Sequence, residues 1–318
     1  AAAAAVIFVN GAILVGLKRP FAGFFADGLF RPLLVIASFG VATLLGQGDE
    51  RLGLMLWVFA AGYWLVACVH LMLVVRSVGR IASDESDRRA DGARWWRFAL
   101  PWVLIDLATL YFFDIDLIML SGLMDSQTLA IFGICTRMFS LMAFGVTAVY
   151  AVSLPDVFES AAAANRSAFY GKLGDANLVA AGLSLLMFAG ILVVGPFVLM
   201  IFGPAFTAGT VPLAILSLSL LVRSIFGPAA LVLSMHDRPW SSLPSIGAGL
   251  LTLSVGNLVL VPLWGLTGAA LAALAAFAIW SALMWVTALH MTRMDVSIWP
   301  RVRRMIRLRD AAGKESAL

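Results

Sequence analysis

Nine runs of predominantly apolar residues follow one another along the chain, at 1–17, 31–47, 53–75, 99–122, 128–153, 178–202, 210–233, 245–263 and 267–291. A helix that crosses the hydrocarbon core of a bilayer needs about 20 such residues. In lipid the backbone must satisfy its own hydrogen bonds, so runs of this length predict helices and not open strands. Composition agrees: 62% of residues are hydrophobic, 13% are charged, and mean hydropathy is +0.97. A soluble domain is nearer half apolar and a quarter charged. The expected fold is an all-α polytopic membrane protein.

Charge predicts the sidedness. If successive runs cross in alternation, 18–31, 76–98, 154–177, 234–244 and the tail 292–318 share one side. That side holds three, six, two, one and seven Lys and Arg, against a total of 22 in the chain. The opposite side holds only Arg51, and Arg137 and Arg223 fall inside apolar runs. The positive-inside rule then makes the first side cytoplasmic, with the C-terminus there too. The 1–17 helix then enters from outside, so a complete protein that starts in the cytoplasm is expected to have an odd number of helices upstream. The opening AAAAAVIFVN has neither Met nor a basic leader and is not read as a signal peptide.

Three cytoplasmic pieces have an interfacial character. Residues 76–98 mix six Arg with four acids and end near Trp95 and Trp96, and 155–176 carries Phe158, Phe169 and Tyr170 among charges. In the tail, Trp299, Val302 and Ile306 recur at spacings of three and four with Arg between them. That pattern suits an amphipathic helix on an anionic leaflet, or a solvated basic tail that only sets topology.

An internal repeat is visible. Arg19-Pro20-Phe21 and Arg238-Pro239-Trp240 each follow an apolar run, and Gly46 and Gly265 each lie 27 residues after the arginine. A second helix follows each glycine and ends near His70 or His290. Either the matches are chance, or the chain holds a parallel repeat about an axis along the membrane normal. The repeat makes 99–291 a complete six-helix half and 1–75 the last three helices of another. It leaves three helices, on the order of 100 residues, to be expected in front.

Charge at membrane depth marks the candidate chemistry. An Arg or Asp at a helix centre costs roughly 2.5–3.5 kcal/mol on insertion scales, so it needs a partner or a wet cavity. The candidates are Asp106, Asp114, Asp116, Arg137 and Arg223. Asp114 lies 11 residues before Asp125, at the turn of the 99–122/128–153 hairpin, and Arg137 lies 12 after it. Antiparallel helices bring the two to similar depth, which predicts a buried Asp114–Arg137 ion pair, with Asp116 on nearly the opposite face. Asp106 and Asp114 are eight apart and are expected to share one broad face. Arg223 has no acid in its own helix and lines a polar cavity or pairs with an acid elsewhere for packing. Pro228, five residues on, is expected to kink that helix.

The stretch NLVLVPLWGLTGAALAALAAF, 257–277, places Asn257 within a helix and Pro262 and Gly265 at its outer end. Gly268 starts the next helix, whose Ala269, Ala272, Ala273 and Ala276 form a close-packing face. These residues shape the bundle, with Asn257 also a candidate for a cavity wall. None of the three lysines sits in a phosphate-binding GxxxxGK[ST] loop, and the two cysteines and three histidines show no metal-ligand spacing. No catalytic constellation, cofactor or nucleic-acid site is expected.

The pattern Asn257-x4-Pro262-x2-Gly265-x2-Gly268-Ala269-Ala270 resembles the late helices of polysaccharide-type flippases of the multidrug/oligosaccharidyl-lipid/polysaccharide exporter superfamily. KRPFAGFFADGLFRPLL (18–34) resembles that family's link between helices four and five, and 114–141 its helices seven and eight, including the arginine matched by Arg137. FGPAFTAGTVPLAIL (202–216) resembles its turn before helix ten. The resemblance implies a MATE-like architecture of two six-helix bundles, with about nine of twelve helices here. These are the remainder of the first bundle (1–75), an inter-bundle linker (76–98), the second bundle (99–291) and a basic tail (292–318). It implies a bacterial plasma-membrane protein that moves undecaprenyl-diphosphate-linked oligosaccharide outward by alternating access, not an enzyme. Its partners would be the lipid-linked oligosaccharide, membrane lipids and polysaccharide polymerase or assembly machinery. Arg137 and Arg223 become headgroup contacts oriented in part by Asp114, and Asp106 and Asp116 the candidates for ion coupling. A multidrug/cation antiporter of the same superfamily and a non-transporting assembly protein are the alternatives.

Overall fold

The structure is a computed structural model that describes residues 2–46, 50–78, 88–162 and 165–306. Every regular element among them is helical. The helices are α1 (Ala2–Gly16), α2 (Pro20–Phe25), α3 (Arg31–Leu45), α4 (Glu50–Val78), α5 (Arg88–Leu110), α6 (Phe112–Leu120), α7 (Ser126–Ala162), α8 (Arg166–Ile201), α9 (Thr210–Phe226), α10 (Ala229–Met235) and α11 (Leu243–Thr292). A twelfth, α12, covers 299–306. Six helical stretches are long and apolar enough to cross a membrane: Pro20–Leu45, Glu50–Ser77, Ser126–Ser153, Arg166–Ile201, Pro204–Met235 and Pro239–Thr292. Their outer faces carry exposed Ile36, Leu65, Leu186, Val193, Phe197 and Ile201. So much apolar surface is stable only against lipid or another apolar partner, and the protein is membrane-embedded.

The chain forms two compact units, Ala1–Glu85 and Ser86–Leu318. In the first, α1 packs against α2 and α4, and α3 against α4. Gly11 and Gly23 allow the closest approach, since a Cβ on Gly23 would stand 2.8 Å from the Gly11 carbonyl oxygen. Residues 18–31 were expected as a loop. They instead form α2 and a π-helical turn, Ala26–Phe30, that runs on into α3. Pro20 and Pro32 sit where helices tolerate proline, in the first turns of α2 and α3. Asp27, in the π turn, accepts from Tyr63 Oη at 2.8 Å and pairs with Arg31 at 3.4 Å.

In the second unit α9 packs against both α8 and α11, and α7 against α8. Phe112, Phe139, Phe277 and Trp280 make an aromatic centre, with Phe112 and Phe277 ring centroids 4.3 Å apart. Buried serines bond back to the preceding turn, and Ser184 Oγ meets Ser224 Oγ at 3.0 Å between α8 and α9. Residues 155–162 and 166–176 are helical, the end of α7 and the start of α8. Val157, Phe169 and Leu173 are buried in the core, where sequence alone suggested an interfacial piece. The 99–122 run divides at Tyr111 between α5 and α6, so Asp106 and Asp114 do not share a continuous helical face as expected.

The runs 245–263 and 267–291 are the two arms of α11, which breaks at Gly265 (φ 53°, ψ −129°). Gly268 lets the arms close, because a Cβ there would stand 2.1 Å from the Leu260 carbonyl oxygen. Ala269, Ala270, Ala272, Ala273 and Ala276 are fully buried on the packing face.

The two repeat stretches share a backbone turn. Lys18 and Asp237 are both left-handed (φ 59° and 57°), and each precedes an extended-to-bridging Arg and a helix-starting Pro. Arg19 N–H donates to Leu14 O at 2.8 Å and Arg238 N–H to Leu233 O at 2.9 Å, the same six-residue closure.

After α11 the chain does not leave the unit. Val296 is fully buried, its carbonyl accepts from Asn177 Nδ2 at 2.8 Å, and Ile298 N–H donates to Ile225 O at 3.0 Å. Arg301 pairs with Asp175. The tail is thus strapped to α8 and α9 over 293–301, where the sequence offered a helix on the leaflet or a solvated basic tail from residue 292. Along α12, Trp299 and Ile306 are exposed. Residues 79–87 of the expected linker and 307–318 of the tail lie outside the described residues.

Candidate functional site

Helix α6 sets two carboxylates on different faces. Asp114 points outward and meets Arg137 of α7, Nη2 to Oδ1, at 3.2 Å. The hairpin register brings them to one depth, but the pair is not buried: 70% of the Arg137 side chain and 41% of that of Asp114 are exposed. Arg137 therefore keeps free donors for an anion in addition to its carboxylate partner.

Asp116, two residues on, points inward and is fully buried. Asn257 Nδ2 of α11 donates to its Oδ1 at 2.6 Å. The second oxygen of each side chain, Asp116 Oδ2 and Asn257 Oδ1, is buried without a partner among the described residues. Asn257 does not form a cavity wall, the alternative role offered for it; it is fully enclosed against Asp116, inside the bundle that its stretch was expected to shape. One turn along, Ser254 Oγ lies 3.6 Å from Met119 S, a second polar contact between the same two helices. Asp106, half-buried on α5, has no hydrogen-bond or ion-pair partner among the described residues.

Arg223 lies in the last turn of α9, beside the break at Gly227 and Pro228. A kink was expected at Pro228; the helix instead breaks, with the turn made by Gly227 (φ 74°), whose N–H donates to the Arg223 carbonyl at 3.1 Å, and a new helix starting after Pro228. A Cβ at Gly227 would stand 2.1 Å from the Val296 carbonyl oxygen, so the strap and the break fit only around glycine. The guanidinium of Arg223 is half-buried, stands over the Phe277 ring at 5.3 Å and has no acid or hydrogen-bond partner among the described residues. It lines a cavity of about 120 Å³ with Thr109, Pro228, Trp280 and Ser281. A cation over an aromatic face is held by roughly 0.5–2 kcal/mol. The fork stays available to an anion.

Gly227, Phe277, Trp280 and Asn177 carry this geometry and were not singled out from the sequence. The Gly-Pro dipeptide was a readable breaker signal. Asn177, a buried amide that accepts from Tyr150 Oη at 3.1 Å while donating to Val296, was legible only as a polar residue near an apolar run. Among the described residues, no three His, Cys, Asp or Glu side chains come together as a metal site requires. Comparison with known protein families, with curated proteins and with solved structures found no match in any of the three.

Proposed function

We propose that the chain belongs to a flippase that moves undecaprenyl-diphosphate-linked oligosaccharide from the inner to the outer leaflet of a bacterial plasma membrane, by alternating access of two six-helix bundles. The observation that carries this reading is Arg223: a cavity-lining guanidinium at a helix break with no acid among the described residues. A planar fork of donors suits a diphosphate. Arg137, held but not silenced by Asp114, supplies a second such group. The matched turns at Lys18–Pro20 and Asp237–Pro239 support a parallel repeat, on which two related bundles rest. Asp116 and the half-buried Asp106 are the proposed sites of ion coupling.

A second reading, a multidrug/cation antiporter of the same superfamily, is favoured by one observation, the enclosed carboxylate of Asp116 beside Asn257. Deletion of the complete gene separates the two. The flippase reading expects lipid-linked oligosaccharide to build up on the inner leaflet while surface polysaccharide falls. Normal lipid and polymer levels with raised drug accumulation would replace it with the antiporter.

A further inference from the structure

Two adjoining cavities, neither lined by Arg223 or Asp116, open at the end of the second unit that the positive-inside reading places in the cytoplasm. The larger, about 490 Å³, is walled by Trp102 of α5, Phe158 of α7, and Leu231 and Met235 at the end of α10. The smaller, about 230 Å³, lies between the start of α8 and the end of α11 and includes Asn165, Arg166 and Thr292. His236 and Ala161 line both.

The chemistry of the joint site is divided. Its inner wall is aromatic and aliphatic. Its rim donates hydrogen bonds and carries no carboxylate among the described lining residues. Ser160, Ser234 and Thr292 spend their hydroxyl protons on the carbonyls of Asp156, Ala230 and Ala288. Asn165 caps α8, its Oδ1 accepting from Ala168 N–H at 3.0 Å, which leaves its Nδ2 protons free. Arg166 has no hydrogen-bond or ion-pair partner among the described residues. His236 Nδ1 lies 2.9 Å from Val232 O, so that nitrogen donates to the carbonyl and Nε2 is the ring atom left for a ligand. The N-terminus of the 36-residue α8, capped at the Ala168 amide by Asn165, adds its partial positive charge beside these groups. Donors and positive charge at the rim of an apolar recess match an amphiphile with an anionic head.

We infer that this recess binds the phosphate headgroup of an inner-leaflet lipid, with Arg166, His236 and Asn165 on the phosphate and Trp102, Phe158 and Leu231 against the first part of its apolar body. Basic pockets between membrane helices on the cytoplasmic side recognise lipid phosphates by the same means. The inference is independent of transport and stands or falls separately from the flippase reading.

The test is lipid retention by the purified full-length protein. It is taken into an uncharged detergent, supplied with phosphatidylglycerol or with inorganic phosphate, and bound molecules per chain are counted by native mass spectrometry. Wild type is expected to retain one phosphatidylglycerol, with affinity at least tenfold weaker for Arg166→Gln/His236→Gln and restored toward wild type in Arg166→Lys/His236→Arg. Arg303→Gln, on exposed α12, is the charge control and keeps wild-type retention; thermal unfolding confirms that each variant is folded. Equal retention by wild type and a folded double Gln variant overturns the inference. Inorganic phosphate binding that matches the lipid's affinity overturns the lipid assignment and leaves a free-anion site.

Discussion

Asn257 Nδ2 donates to Asp116 Oδ1 across 2.6 Å, joining α11 to α6 through two side chains that are both fully buried. The remaining oxygen of each has no partner among the described residues, so the bond is the one polar contact described for either side chain, and neither residue is replaceable alone at low cost. Asn257→Leu leaves a buried carboxyl with no donor and is expected to cost about 1–3 kcal/mol. Asp116→Leu/Asn257→Leu removes both polar groups together and should recover more than half of that loss. Unfolding in detergent, run as a double-mutant cycle, checks this. A fully additive cycle would mean that the bond contributes nothing.

Gly227→Ala is expected to destabilise the second unit by about 2 kcal/mol or more. The position is left-handed, and the added methyl would meet the Val296 carbonyl oxygen. The strap must move, taking the Asn177–Val296 bond with it. Thermal unfolding and limited proteolysis near 293–298 report the change. An unaltered melting temperature with an intact strap would contradict the packing described.

The exposed Asp114–Arg137 pair predicts a split between stability and activity. Exposed pairs contribute at most about 1 kcal/mol, so Arg137→Gln should unfold within that margin of wild type. On the flippase reading the same variant loses at least tenfold in transport. Comparing unfolding with transport separates a headgroup contact from a packing pair; a stable variant with full transport would leave Arg137 no part in substrate handling.

At the turn before α7, hydrogen bonds from the Thr128 backbone N–H and then its hydroxyl hold the Asp125 carboxyl below the ordinary carboxylate value. A lowered value means that the charged form stabilises the helix start above the ordinary range. That stabilisation is lost as pH falls through the lowered value. The protection factor of the Thr128 amide should therefore fall in acid for wild type and be lower but flat with pH for Asp125→Ala. Identical pH profiles for the two would remove the cap.

Some of this was legible in the sequence, for identifiable reasons. The Asp114–Arg137 meeting follows from counting outward from Asp125, because an antiparallel hairpin fixes depth by residue number. Counting says nothing about what surrounds a pair, and so it missed the exposure. The turns at Arg19 and Arg238 were visible because Pro after Arg punctuates a helix. The π turn at Ala26–Phe30 was not, since its Asp27 and Gly28 and the nearby prolines also describe a loop. Asp116 and Asn257 are 141 residues apart, and only the packing of α6 on α11 brings them together. Burial of Val157, Phe169 and Leu173 within 155–176 escaped notice for the opposite reason. Its charges read as solvated, while its Phe169 and Leu173 point the other way, into the core.

The most direct test of the central claim is transport by the purified full-length protein in liposomes. Labelled undecaprenyl-diphosphate oligosaccharide is placed in the membrane, and its crossing is followed by glycan accessibility. The account predicts protein-dependent crossing, a loss of at least tenfold for Arg223→Ala and partial retention for Arg223→Lys. Crossing no faster than in protein-free liposomes would contradict the flippase. Full activity of Arg223→Ala would deny the guanidinium over Phe277 the role assigned to it.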